Sequence, residues 1–192
     1  MSPWLWVGFV IVAILVTLYL SMTAGRLDRL HKRVDISLLS LHSHLLRRSS
    51  TALELSTSGA LDPASSVLLA DAAHRAQRAS QDQPIGAWVA AESDLTAALV
   101  ATLDDVDEVA EVCTEQWGAA LLADLAERCQ RVALSRRFHN DAVQATRRQR
   151  SRPVVRVFRL AGRTPLPQTW EMDDSVPTGL ADEGAPFRGA VN

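Results

Sequence analysis

His42 and His44 stand two residues apart, and a metal held by both would need their rings on one side of the chain. On a helix, positions two apart point about 200 degrees away from each other, so these two do not share an ion. His31, His74 and His139 have no histidine, cysteine or carboxylate at metal-ligand spacing in their own helices. His31, His42 and His44 read as residues of a polar helix flank, and His139 as a half-buried packing residue. Cys113 and Cys129 are the two cysteines, too far apart for a zinc or redox pair. They read as reduced thiols in helices, with a disulfide as the alternative outside the cell. The acids Asp104, Asp105, Asp107, Glu108, Glu111 and Glu115 fall in one run without a base, the pattern of a solvated face rather than of an acid and a base in a cleft. No glycine-rich phosphate loop, nucleophile elbow or HExxH occurs, and the reading is of a non-enzyme that needs no cofactor and no metal.

The remaining candidate chemistry is the arginine run "ATRRQRSRPVVRVFR", residues 145–159, with six arginines and no acid. A nucleic-acid arm has this look. The formal net charge of the whole chain is −2, whereas nucleic-acid-binding domains are usually basic throughout. Few aromatics lie near the arginines to stack on bases, so nucleic acid is not the expected partner. Anionic lipid head groups or a membrane protein are.

What must position these residues begins with "WLWVGFVIVAILVTLYL", residues 4–20, which has no charged side chain and extends to Gly25 without one. At about 1.5 Å per residue, twenty such residues cross a hydrocarbon core of roughly 30 Å. Trp4 and Trp6 at one end and Tyr19 at the other fit the two interfaces. Gly8 and Ala13 offer close-approach points to a partner's helices. No base precedes the run, as a signal peptide would require. Arg26, Arg29, Lys32 and Arg33 follow it directly. The positive-inside rule then places the amino terminus outside the plasma membrane and residues 26–192 in the cytoplasm.

From Leu27 the apolar positions Leu27, Leu30, Val34, Leu38, Leu41, Leu45, Ala52 and Leu55 keep one helical stripe. Neither Gly nor Pro interrupts residues 26–58, which predicts one helix of about thirty residues, either separate from the apolar stretch or continuous with it. Gly59 and the pair Asp62–Pro63 mark a stop and a new start. A second helix runs from Pro63 to about Ser80, with Val67, Leu68, Ala72, Ala76 and Ala79 as its apolar positions. The break "QDQPIG" at 81–86 leads to a third over 87–103. The acidic stretch 104–115 extends that helix or turns in solvent, and the fourth starts near Trp117 and ends in the arginine run. Beyond Pro153, "VVRVFRLAG" reads as a short strand, an extended segment or an interfacial stretch. Trp170 of "TPLPQTW" packs back onto the bundle. The acids, prolines and glycines of 171–192 suggest a disordered tail.

The sequence resembles the LemA family of bacterial single-span membrane proteins. The resemblance is carried by "RLDRLHKRVDISLLSLHSHLLRRSSTALELS", "AESDLTAAL" and "LAERCQRVALSRRFHNDAV". Leu30, Arg33, Val34, Leu38, Leu45, Arg47 and Arg48 match its first-helix pattern, and Arg136, Asn140 and Val143 fit its last. His139 stands where the family usually has tyrosine, and the tryptophan of the first soluble helix is replaced. The resemblance covers roughly residues 3–160 and implies an elongated antiparallel bundle on one anchor, with no reaction.

Together these readings give an all-α protein. A transmembrane anchor over 1–25 precedes a LemA-like antiparallel four-helix bundle over 26–152, an extended or interfacial segment over 153–170 and a disordered acidic tail over 171–192. The expected role is a membrane-anchored scaffold or accessory subunit. A sensor of anionic lipid is the alternative, through a basic belt of Arg26, Arg29, Lys32, Arg33, Arg147, Arg148, Arg150 and Arg152. Short connections between long helices bring the two ends of that belt together.

Overall fold

The computed structural model describes residues 3–79, 84–115, 117–162 and 164–181. Of these, 81 % are helical and none is in a strand. The helices are α1 (Pro3–Thr57), α2 (Pro63–Ala79), α3 (Ile85–Leu103), α4 (Val106–Val112), α5 (Gly118–Arg150), α6 (Pro153–Val157) and α7 (Thr178–Ala181).

The apolar stretch and the first soluble helix are one element, α1, of 55 residues. No break falls at residue 25, because nothing there interrupts the backbone ladder: Thr23 returns its hydroxyl to the Tyr19 carbonyl at 2.8 Å. Beyond the apolar stretch, the buried positions Leu27, Val34, Leu41, Arg48 and Leu55 recur every seven residues, the period that keeps one seam facing a partner helix. One of the five is an arginine. The helix ends where Gly59 takes a left-handed φ of 81°, and Asp62 restarts the chain by accepting from the Ala64 amide at 2.9 Å.

The chain divides into two compact units. The larger holds residues 39–137 and 170–192. Its core gathers Leu55 of α1, Leu69, Ala72 and Ala76 of α2, Leu95 and Leu99 of α3, Leu122 and Leu125 of α5, and Leu180 of α7. α2 packs along α3 through the expected alanine face. Val67 and Leu68, expected among its apolar positions, point outward, and Leu69 takes the buried place. The acidic run is neither an extension of α3 nor a turn alone. Asp105 caps the Asp107 amide at 2.8 Å and opens the short helix α4, where Asp107 and Glu108 favour the helix N-terminus.

Residues 171–181 are packed, against the expectation of disorder. Trp170, Met172 and Leu180 are buried, and the Thr178 amide donates to Asp104 at 2.7 Å. Gly179 is required here, since a Cβ would meet the Leu103 carbonyl at 2.5 Å. Composition alone suggested a loose tail, but Met172 and Leu180 along it are buried and Val176 packs against the core. Residues 182–192 of the expected tail, like 80–83 of the second helix and its break, lie outside the described residues.

The smaller unit holds residues 1–38 and 138–169. Val34 packs with Ala142 and Val143, and His139 is buried at 2 % exposure rather than half-buried. Its Nδ1 lies 3.1 Å from the Ser37 hydroxyl. Residues 153–157, expected to be extended, strand-like or interfacial, form α6. Pro153 sits in its first turn, where the missing amide costs no hydrogen bond and the fixed φ already suits a helix. Residues 164–177 carry no helix or strand.

Candidate functional site

Two groupings of charged residues stand out, one in each unit. In the larger unit Arg48 leaves the seven-residue seam of α1 and meets Glu92 of α3, Nη2 to Oε2 at 2.9 Å, with both side chains 2 % exposed. The same Nη2 donates to the Glu92 carbonyl at 3.2 Å, and Nη1 donates to the Thr96 hydroxyl at 3.1 Å. The Trp88 indole donates to the other Glu92 oxygen at 3.3 Å. The Thr96 hydroxyl donates in turn to the Asp173 carbonyl at 2.8 Å. His42, Trp88 and Trp170 stack edge to face about this pair, with successive ring centroids 4.5 Å apart. Nε of Arg48 makes no hydrogen bond among the described residues.

Removing two charges from water is expensive, and their attraction offsets this only with good geometry and further hydrogen bonds. Both conditions are largely met. The cluster therefore fixes which turn of α1 faces which turn of α3, and it holds the segment that follows Trp170. Arg136 adds a two-pronged pair to Asp174, at 2.8 and 2.9 Å. Cys129 is a buried free thiol whose pKa burial pushes up, against the opposing field of Arg48, so it is an inert packing residue. Sequence reading passed over this cluster although the signal was present: Arg48 interrupts an apolar seven-residue series, and Glu92 precedes Leu95 and Leu99 on the inner face of α3.

The second grouping is the expected basic belt, all of it in the smaller unit. Arg26, Arg29, Lys32 and Arg33 are exposed, and Lys32 pairs with Asp28 at 3.0 Å. Arg147 donates to the Pro167 carbonyl at 2.9 Å, and Arg150 to the carbonyls of Pro165 and Thr164 at 2.9 and 2.7 Å. These two arginines are clips for the returning chain as well as charges. Arg148 and Arg152 are exposed with no carboxylate partner among the described residues. The expected anchor residues Trp4, Trp6 and Tyr19 are exposed, with Trp6 edge-on to Phe9. By length and composition α1 is apolar enough to cross a membrane, and none of its most apolar window is buried.

Burial lowers the pKa of His139, while its hydrogen bonds to the Gln168 and Val34 backbone act the other way. His44 is lowered too, by burial first and then by the charges of Arg131, Arg47 and Arg128. Among the described residues no three His, Cys, Asp or Glu side chains gather as a metal site would need.

Compared with known proteins, the chain matches no family model, no curated protein and no solved structure. Of the spaced helical positions on which the expected LemA resemblance was read, Val34, Leu45, Arg48 and Val143 are buried.

Proposed function

We propose that this chain is a membrane-anchored, non-catalytic scaffold or accessory subunit of the LemA type, held in the plasma membrane by residues 4–21 with its amino terminus outside. The observation that carries the reading is the exposure of that apolar stretch, from Trp4 to Leu18 and Tyr19, at the head of a helix that continues without a break into a packed core. Water does not tolerate so large an apolar surface, and a bilayer does. The four bases that follow support the orientation.

The reading takes the long helices as an antiparallel bundle. Contacts within each unit support it. Val34 packs on Ala142 and Val143 while Ser37, three residues later, meets His139, three residues earlier. In the larger unit Thr51 donates to Asp124 at 2.9 Å. A non-catalytic role is supported by Arg48, Glu92 and Thr96, which bond to one another out of reach of water. Membranes washed with alkaline carbonate should retain the full chain, and gentle detergent extraction at native expression should return it with a stable membrane partner. Release by carbonate overturns the anchor, and a lone monomer overturns the scaffold.

A further inference from the structure

In the smaller unit the chain reverses direction at the end of α5. Residues 164–168 run back beside that helix: Thr164 and Pro165 are tied to Arg150, Pro167 to Arg147, and Gln168 to His139. Residues 151–162 are therefore the tip of the reversal, and α6 is its rigid part. Val157 is 74 % exposed there and Phe158 52 %. Arg152, Arg156 and Arg159 surround them, exposed and without a carboxylate partner among the described residues. No Asp or Glu occurs anywhere between Asp141 and Glu171.

The backbone of the tip is fixed. The Leu160 amide donates to the Val155 carbonyl at 3.0 Å, closing the end of α6 with a helix-terminating loop. Arg159 takes a left-handed φ of 49°, a conformation that glycine adopts without steric cost. A residue held in this region carries local backbone strain, of the kind that clusters at functional segments.

The register of the smaller unit says where the tip lies. Continuing from Val34 against Ala142 and Val143, eight residues toward the start of α1 and eight toward the end of α5 bring Arg26 level with Arg150. The tip is then level with the place where the apolar stretch of α1 ends.

We propose that residues 152–159 form a lipid wedge: Val157 and Phe158 enter the interface of an anionic bilayer, and Arg148, Arg152, Arg156 and Arg159 hold its head groups. The proposal rests on the reading of residues 4–21 as a membrane anchor. Arginine with an adjacent aliphatic or aromatic side chain is the composition that interfacial segments use, and uncompensated positive charge selects anionic over zwitterionic lipid. Nucleic acid would meet the same charges, but the only aromatic ring at the tip is Phe158, which gives no series of stacking platforms.

The test uses the full chain in vesicles, with a spin label at Val157→Cys in a background lacking the native thiols (Cys113→Ser, Cys129→Ala) and a control label at exposed Leu68→Cys. Accessibility to oxygen and to a water-soluble nickel complex is read by electron paramagnetic resonance. In vesicles of phosphatidylglycerol and phosphatidylcholine, the label at 157 should gain oxygen contact and lose nickel contact, and the label at 68 should do neither. In phosphatidylcholine alone the change at 157 should be far smaller. Each arginine near an anionic surface is worth roughly fivefold in occupancy, so Arg148→Gln, Arg152→Gln and Arg156→Gln together should lower insertion by about a hundredfold. Phe158→Ser, with every charge intact, should lower it independently.

A chain that stays in carbonate-washed vesicles while the label at 157 remains open to nickel overturns the wedge and leaves the anchor standing. Shielding of that label from both reagents, the mark of protein contact, also overturns it. A chain lost from the vesicles overturns the anchor itself.

Discussion

Arg48 and Arg148 carry the same guanidinium under opposite conditions. Arg48 is closed off from water against Glu92, Thr96 and a set of aromatic rings, whereas Arg148 is exposed and has no carboxylate partner among the described residues. In the larger unit Arg48, Arg75, Arg128, Arg131 and Arg136 meet carboxylates at close range, and the buried Arg48 fixes register. In the smaller unit Lys32 pairs with Asp28 and Arg147 and Arg150 clip the returning chain, while Arg148, Arg152, Arg156 and Arg159 have no carboxylate partner among the described residues. Charge that a fold does not consume remains available to something outside the fold, and the smaller unit is the one that also carries the apolar amino-terminal stretch.

The contrast is sharpest under substitution. Glu92→Ala strands a buried guanidinium and should cost about 3–5 kcal/mol in chemical denaturation. Arg48→Met combined with Glu92→Leu should recover most of that, because it removes both charges and fills the space. If the single substitution costs under about 1 kcal/mol, the pair is not the closed ion pair described and the contrast collapses. Trp170→Ala, which empties the ring stack around the pair, should cost about 3 kcal/mol in the same measurement.

Acid should weaken the smaller unit through His139. Its folded pKa lies below the ordinary 6.5, so below about pH 6.5 the unfolded chain takes up a proton that the folded chain refuses. Stability is complete above that pH and falls as pH drops toward the lowered folded value, with a slope of at most about 1.4 kcal/mol per pH unit from one proton. His44, also lowered, lies in the larger unit and weakens that unit in the same direction. Melting curves of His139→Phe should lose most of this slope. Asp174→Asn, which breaks the two-pronged pair with Arg136, should cost about 1 kcal/mol and speed hydrogen exchange near residues 170–176. At the other end, Arg148→Gln with Arg152→Gln and Arg156→Gln should change stability by no more than about 0.5 kcal/mol. A large loss there would show that the tip arginines serve the fold after all.

The helices were legible because their signals are local. Gly59, Asp62 and Pro63 announce a stop and a start within five residues, and the apolar stripe of α1 needs only its own spacing. Pro153 was harder, since proline breaks an established helix and begins a new one with equal ease. Which of the two occurs depends on whether the four residues after it find a helical ladder. His139 carried no mark of full burial, because a lone histidine on an apolar face is compatible with any depth. The basic belt was legible as charge, but the division between clips and free charges was not: whether Arg147 meets water or the Pro167 carbonyl depends on a segment twenty residues on, returning beside the helix.

By itself, then, the sequence determined the all-α class, most helix boundaries, the apolar stretch and the segregation of charge, since each follows from neighbours within a few turns. Only the tertiary structure decided that Arg48 and Glu92, 44 positions apart, face each other. It alone decided that residues 170–181 close over the core, and which arginines remain free. Those outcomes depend on which surfaces meet when distant segments pack, and the cost of burying or sparing a charge is set by that meeting rather than by any local pattern.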